Sequence, residues 1–327
     1  MDSETYLVEA EKAALKCLSN QKPTPKPQFY KLTTSPPKKT TPLSMISSTL
    51  SISTDDVAAH YNQLDQFYRD YWGEHVHHGL WENGDEPPEL ATERLIDRVA
   101  SVLDLQAGQN ICDIGCGYGG ASRYLTQKFE INATGVTLSE EQAKEAARIA
   151  KNLQKSPQIL VKNWLENNFT DECFDAVFSI ECLAHVTDKA RYFEQLHRVL
   201  KPGKKASITA WMIGDNVTPQ QKKDLIIPIC NEGRLPGMGS ETDYREMIEA
   251  TGLRVVQFQD LTRKVEETWA ICIRRTIKGF FTDPKMWKYV LGKNRSELVF
   301  ALTLRRIQKA YQCGAMRYGW FEIEKPL

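Results

Sequence analysis

The stretch ICDIGCGYGGAS, residues 111–122, constrains this chain more than any other. It places four glycines, Gly115, Gly117, Gly119 and Gly120, within six positions, behind an apolar run and Asp113. A buried strand, a glycine turn and then a helical pattern form the opening unit of a parallel sheet flanked by helices. In such a sheet ligands sit outside the carboxyl ends of the strands. Glycines at that mouth let a ligand lie against the backbone and the N–H groups that open the helix, which favour an anionic group. Two ligands satisfy the spacing: the pyrophosphate of a dinucleotide and the amino-acid end of S-adenosylmethionine.

The second strand separates them. Gly115, Gly117 and Gly120 satisfy G-x-G-x-x-G, but a dinucleotide site also needs an acid about 20 residues on, at the tip of the next strand, to hold a ribose. That tip reads Thr137-Leu138-Ser139 and carries no acid. Two helical patterns also precede the first strand, whereas a dinucleotide unit usually opens its domain. Asp113 suits the other ligand: a carboxylate there holds the glycine turn and, directly or through water, an ammonium.

From Asp55 onward helix and strand patterns alternate. Helices are expected over 55–72, 88–105, 119–129, 139–153 and 188–200, and strands over 110–115, 132–138, 158–163, 174–181 and 201–212. A helix, a glycine stop and a strand follow within 242–262, and MRYGWFEIEKP supplies a last strand. The alternation predicts an α/β fold with a doubly wound, mostly parallel sheet. Residues 213–240 and 263–312 interrupt it as helical insertions, expected to form lids over the substrate. Residues 55–104 are expected to provide N-terminal helices and a pocket segment, and 55–327 one domain.

Residues 1–54 differ. No acidic residue occurs from Lys12 to Thr54, and Pro, Ser, Thr and Lys dominate, which predicts a disordered tail. An organelle-targeting role fits the missing acids but not the missing arginines. The 42 basic and 42 acidic side chains balance, which argues against a nucleic-acid partner. No apolar run approaches the roughly 18 residues of a membrane span. Eight cysteines without a C-x-x-C pair read as reduced thiols in a cytoplasmic setting. The oligomeric state is left open.

CDIGCGYGGASRYL, GVTLSEEQ, FDAVFSIECLAHVTDKARYFEQLHRVLKPG and the final MRYGWFEIEKP resemble class I S-adenosylmethionine-dependent methyltransferases, and DYWGEHVHHGLWENG, residues 70–84, resembles their gamma-tocopherol methyltransferase-like group. The resemblance covers residues 55–327. It implies a Rossmann-like seven-stranded sheet and S-adenosylmethionine as cofactor. By that resemblance Asp113, Gly115, Cys116 and Gly117 contact the methionine part. Thr137, Leu138 and Gln142 replace the usual acidic ribose contact, and Asn163 and Trp164 line the adenine. Glu181 and His185 match an E-x-x-x-H element beside the transferred methyl. Ala184 stands where many relatives carry Glu.

Methyl transfer needs alignment and water exclusion, and a base only when the acceptor must lose a proton. His185 is the candidate base, with a structural histidine as the alternative reading. Glu181 is a cofactor or supporting contact. His75, His77 and His78 lack metal-ligand spacing, so no metal is expected. They are read with Trp72 and Trp81 as pocket wall, together with Tyr68, Trp211 and Met238 in a lipophilic cup. Such a cup selects a flat or greasy acceptor. The resemblance implies a prenylated phenol, indole, alkaloid or other isoprenoid-derived metabolite, with ring-carbon methylation as the leading expectation and O- or N-methylation as alternatives. A non-catalytic binding protein and an NAD-dependent oxidoreductase are the readings from other classes. Arg274, Arg275 and Lys278 form a basic knot, read as a solvated helix face with weak membrane-surface contact as the alternative.

Overall fold

The computed structural model describes residues 45–71, 75–151, 153–282 and 296–327. Residues 1–44 of the expected tail lie outside them. The last part of that tail is ordered, which corrects the expectation: Ile46–Ser47 form strand β1, paired antiparallel with β7, Gly237–Met238. Ser48 Oγ donates to Asn231 Oδ1 at 2.7 Å and adds a second clasp. A two-residue strand is too short to register against a polar background composition.

The main sheet contains β2 (Asn110–Ile114), β3 (Asn132–Thr137), β4 (Gln158–Val161), β5 (Phe174–Ile180), β6 (Leu200–Ile213), β8 (Arg254–Asp260) and β9 (Met316–Glu324). Its seven strands run in the order β4-β3-β2-β5-β6-β9-β8. The first five are parallel, and β9 pairs antiparallel with both neighbours. This is the expected doubly wound, mostly parallel α/β sheet.

Strand residues alternate between two cores, as period-2 geometry requires. On β5, Ala176 and Phe178 face one core and Val177 the other. Helices α2 (Pro88–Ala100) and α3 (Gly120–Phe129) cover the first face. Leu95, Ile96 and Val99 of α2 are fully buried there, each contributing about 1.5–3 kcal/mol of apolar burial. Helices α5 (Lys189–Val199) and α7 (Glu241–Ala250) cover the other, through Tyr192, Phe193, Leu196 and Tyr244. Helix α1 (Thr54–Tyr71) packs on α4 (Glu140–Ala150). Ser139 caps α4 by accepting from Gln142 N. Helix α2 ends five residues before the expected 105, where Ser101 and Leu103 close a turn onto Asp97 and Ala100.

The interruption at 213–240 folds into short helical turns ending in α6 (Ile227–Glu232). The interruption from 263 contributes α8 (Glu267–Thr282) and α9 (Ser296–Gln312). Glu232 on α6 takes Thr303 Oγ1 and Arg306 Nη1 from α9, which ties the two insertions together.

Candidate active site

The strand order reverses at β2, which lies between β3 and β5, so their carboxyl ends open a crevice there. A cavity occupies that crevice. Its floor carries Gly115 and Gly117 after β2, Thr137, Leu138 and Gln142 after β3, Asn163 and Trp164 after β4, and Glu181 and His185 after β5. Its far wall is mostly apolar: Val57, Tyr61 and Tyr68 of α1, Trp211 of β6, and Ile229, Leu235, Trp269 and Ile307 from the two insertions.

Three glycines of the turn have different causes. A Cβ on Gly115, at φ +77°, would lie 2.4 Å from Cys182 Cβ, and one on Gly119 would lie 3.0 Å from Ile159 Cδ1. Both are dictated by the protein's own packing. Gly117, at φ +54°, is different: a Cβ there would meet only Gln142 Nε2, at 3.9 Å. Its open side faces the cavity, beside the amino end of α3. The pressure against the turn is therefore internal at Gly115 and Gly119, whereas the space at Gly117 stays open.

Asp113 does not line the cavity. It is 2 % exposed and accepts from Ser122 Oγ at 2.6 Å, which pins the turn to α3 from beneath. Burial raises its carboxyl pKa to about 7. Cys116 also faces away, with its Sγ against Gly135. Thr137 Oγ1 donates to Gln142 Oε1 at 2.7 Å, which turns the Gln142 amide nitrogen toward Gly117. Asn163 Oδ1 accepts from Leu165 N, and the Trp164 indole donates to Tyr192 O at 3.2 Å.

Glu181 sits at φ +61°, a left-handed backbone that a non-glycine adopts at a cost. Its Oε1 accepts from His78 N, His78 Nδ1 and Tyr318 Oη, each at 2.8 Å. Its Oε2 accepts from Trp211 Nε1 at 3.0 Å. Burial alone would raise its pKa, but His78 by charge and hydrogen bonding, helped by His77, holds it near 2. Glu181 is thus an ionised hub joining three strands of chain, and has no proton to exchange near neutrality.

His185 Nε2 lies 2.8 Å from Tyr61 Oη. Burial, with His60 and Lys189 nearby, lowers its pKa to about 3. Burial pushes the Tyr61 phenol far above its ordinary value. Near neutrality the phenol keeps its proton and the imidazole is uncharged, so the bond joins two neutral groups.

Of the expected pocket residues, Tyr68, His77 and Trp211 line the cavity. His78 does not: it is 1 % exposed and ringed by Trp211, Trp269, Tyr311 and Tyr318 at centroid distances of 4.9–5.9 Å. Trp81 lies behind the wall with its indole on Thr268 Oγ1 at 3.2 Å. Met238 is consumed by the β1–β7 pairing. His75 packs on His77 rather than on the cavity. Trp72 lies outside the described residues. A short motif puts residues close in space without saying which of them face inward. Arg274 and Arg275 of the basic knot pair with Glu267 and Glu89.

Two partners were not expected. Tyr61 was legible as one aromatic of a cluster on α1, but nothing marks it as the partner of a residue 124 positions away. Tyr318 reads only as a strand residue, and its bond to Glu181 spans 137 positions.

Comparison with known proteins gives one consistent picture. A family model described as mycolic acid cyclopropane synthetase matches residues 49–276. The chloroplastic tocopherol O-methyltransferase of Arabidopsis thaliana is 30 % identical over 293 residues, 83 % of this chain and 82 % of that protein. The 2-methyl-6-phytyl-1,4-hydroquinone methyltransferase of Synechocystis is 33 % identical over 285 residues, 83 % of this chain and 87 % of that protein. Among solved structures, a mycolic acid cyclopropane synthase complexed with SAH and CTAB superposes with a TM-score of 0.72 at 21 % identity, over 84 % of this chain and 99 % of that one.

Proposed function

Because this chain belongs to the mycolic acid cyclopropane synthetase family, a family of S-adenosylmethionine-dependent methyltransferases, we propose that it methylates a lipophilic small molecule of the prenylated-phenol type, at a ring carbon. The observation that carries the reading is a single cavity with two unlike ends. One end is polar backbone and amide around Gly117, Thr137 and Gln142; the other is the apolar wall of Tyr68, Trp211, Trp269 and Ile307.

The open cradle at Gly117 fits the cofactor's methionine end, with Gly115, Gln142 and Thr137 beside it and Asn163 and Trp164 toward the adenine. Asn163 spends its carbonyl on Leu165, so its NH2 group is the part left for the ligand. When bound, the cofactor supplies an already activated methyl group. The chain's own work is to hold the acceptor in line with that methyl and to keep water away.

His185 is a poor proton acceptor in this setting, with a pKa near 3. It acts by fixing Tyr61 at the junction of the two ends, and the acceptor's own electron density supplies the nucleophile. An electron-rich aromatic carbon suits such a site: as the new C–C bond forms the sulfonium S–CH3 bond would break, releasing S-adenosylhomocysteine, and the ring proton would leave afterwards, to water, from the strongly acidic arenium cation. The Synechocystis relative is named for a phytyl hydroquinone acceptor, which supports the prenylated-phenol class. The Arabidopsis relative is named an O-methyltransferase, which favours attack by oxygen as the second reading.

The test uses methyl-labelled S-adenosylmethionine with a panel of prenylated phenols, indoles, alkaloids and simple amines, and locates the new methyl by NMR. Label on a ring carbon is expected. Label on oxygen or nitrogen would keep the cofactor end and replace the acceptor chemistry. S-adenosylhomocysteine binding without label on any acceptor would favour a silent binding fold.

A further inference from the structure

His77 lines the cavity and is 8 % exposed. Its Nδ1 lies 2.8 Å from the His78 carbonyl oxygen. A carbonyl can only accept, so Nδ1 carries the proton and, in the neutral ring, Nε2 is a bare lone pair. That Nε2 is buried and has no partner among the described residues. Burial lowers the pKa of the ring, against the opposing pull of Glu181, so the ring stays neutral near pH 7. A buried acceptor without a donor is costly unless something supplies the donor.

The rest of the cavity says what kind of molecule brings that donor. His60, His77 and His185 all line it, and burial depresses all three, to about 4 for His60 and about 3 for His185. Glu181 lines it too, but both its oxygens are occupied by His78, Tyr318 and Trp211. Lys162 lies at the cofactor end and donates to Asn168. Among the described residues that line it, the acceptor end thus offers no free cation for a carboxylate or phosphate and no free carboxylate for an ammonium. Besides apolar rings, the unpartnered buried ring nitrogens that line it among the described residues are His77 Nε2 and His185 Nδ1, and hydrogen-bond geometry fixes the first as a lone pair.

We propose that His77 recognises the acceptor: its Nε2 accepts a hydrogen bond from a hydroxyl group of a neutral, otherwise apolar molecule. The proposal deepens the functional reading above and rests on it, since it takes the apolar end of the cavity as the acceptor site. His77 then sets which edge of the acceptor faces the methyl, and hydroxyl-free or charged analogues bind more weakly.

The experiment measures binding of two probes, geranylated phenol and geranylbenzene, to protein saturated with S-adenosylhomocysteine. It compares the unaltered chain with His77→Phe and His77→Gln. The unaltered chain is expected to prefer the phenol by about tenfold or more, as sites built around one hydrogen bond do. His77→Phe should lose that preference and keep its affinity for geranylbenzene. His77→Gln, which restores an acceptor oxygen, should regain it. Equal S-adenosylhomocysteine affinity in all three proteins controls for folding. Equal binding of both probes to the unaltered chain, or an unchanged preference in His77→Phe, overturns the role of His77 alone. Failure of both probes to bind overturns the lipophilic-acceptor reading, and this assignment with it.

Discussion

One oxygen of Glu181 holds His78 twice, through the backbone N–H and through ring Nδ1, both at 2.8 Å. The two residues are 103 positions apart, and the contact fastens the segment before α2 to the tip of β5. Because the same carboxylate also takes Trp211 and Tyr318, it locks β6 and β9 into the arrangement. Replacing Glu181 with Gln would place an NH2 group against donors in a buried site. The expected cost is about 2–4 kcal/mol of stability, read as a lower urea midpoint. Tyr318→Phe removes one donor of four and should cost about 1.5–3 kcal/mol. Equal midpoints for both variants and the unaltered chain would refute the hub.

The glycine turn predicts a separation of folding from binding. Gly115→Ala forces a methyl into Cys182 and should destabilise the protein while impairing the cofactor site only through that damage. Gly117→Asp projects into open space, at a left-handed position that Asp tolerates better than most residues. It should leave a folded protein that no longer binds S-adenosylhomocysteine. Calorimetric titration of the two variants checks the pair, and full cofactor affinity in Gly117→Asp would move the site elsewhere.

Tyr61→Phe removes the hydroxyl from His185 and should lower turnover by about tenfold, with cofactor affinity unchanged. Since His185 titrates near pH 3, no limb of the rate profile between pH 5.5 and 8 should belong to it. Turnover of His185→Asn is expected to fall at every pH in that range by the same factor. A limb that disappears in that variant would restore His185 as a base.

Acid should weaken the fold earlier than carboxylate titration alone would require. The pKa values of His60 and His185 fall to about 4 and about 3 on folding, and His77 is lowered too. Between the ordinary histidine value of 6.5 and those values, the unfolded chain binds protons that the folded chain refuses, so stability falls as pH falls. Asp113, raised to about 7, works the other way, gaining stability as pH drops below 7. Three groups against one leave a net loss. Urea midpoints measured from pH 7 to pH 4 should decline, and His185→Asn should flatten the slope.

Local chemistry made most of the fold readable. The strand periods, the Ser139 cap and the glycine turn are decided by residues within a few positions of one another, and each appears where the pattern places it. The missing acid at Thr137-Leu138-Ser139 also has a local cause, because Gln142, one turn into α4, meets Thr137 there. Orientation was not readable. His77 and His78 are adjacent, yet one lines the cavity and the other is sealed behind it by residues from β6, α8 and β9. The four glycines look alike in sequence, and only three-dimensional neighbours distinguish Gly117 from Gly115. The β1–β7 clasp escaped notice because its stabilisation comes from partners about 190 residues away.

Strand β9 is synthesised after every other strand of the sheet, yet it lies inside it, between β6 and β8. A chain still emerging from the ribosome therefore carries an open slot where β9 will go, with β8 unable to dock. Tyr318 arrives on that strand, so the clamp on Glu181 is completed only after residue 318 has emerged. Until then the edge of β6 from Lys205 to Ile213, which β9 pairs with in the finished sheet, has no partner strand.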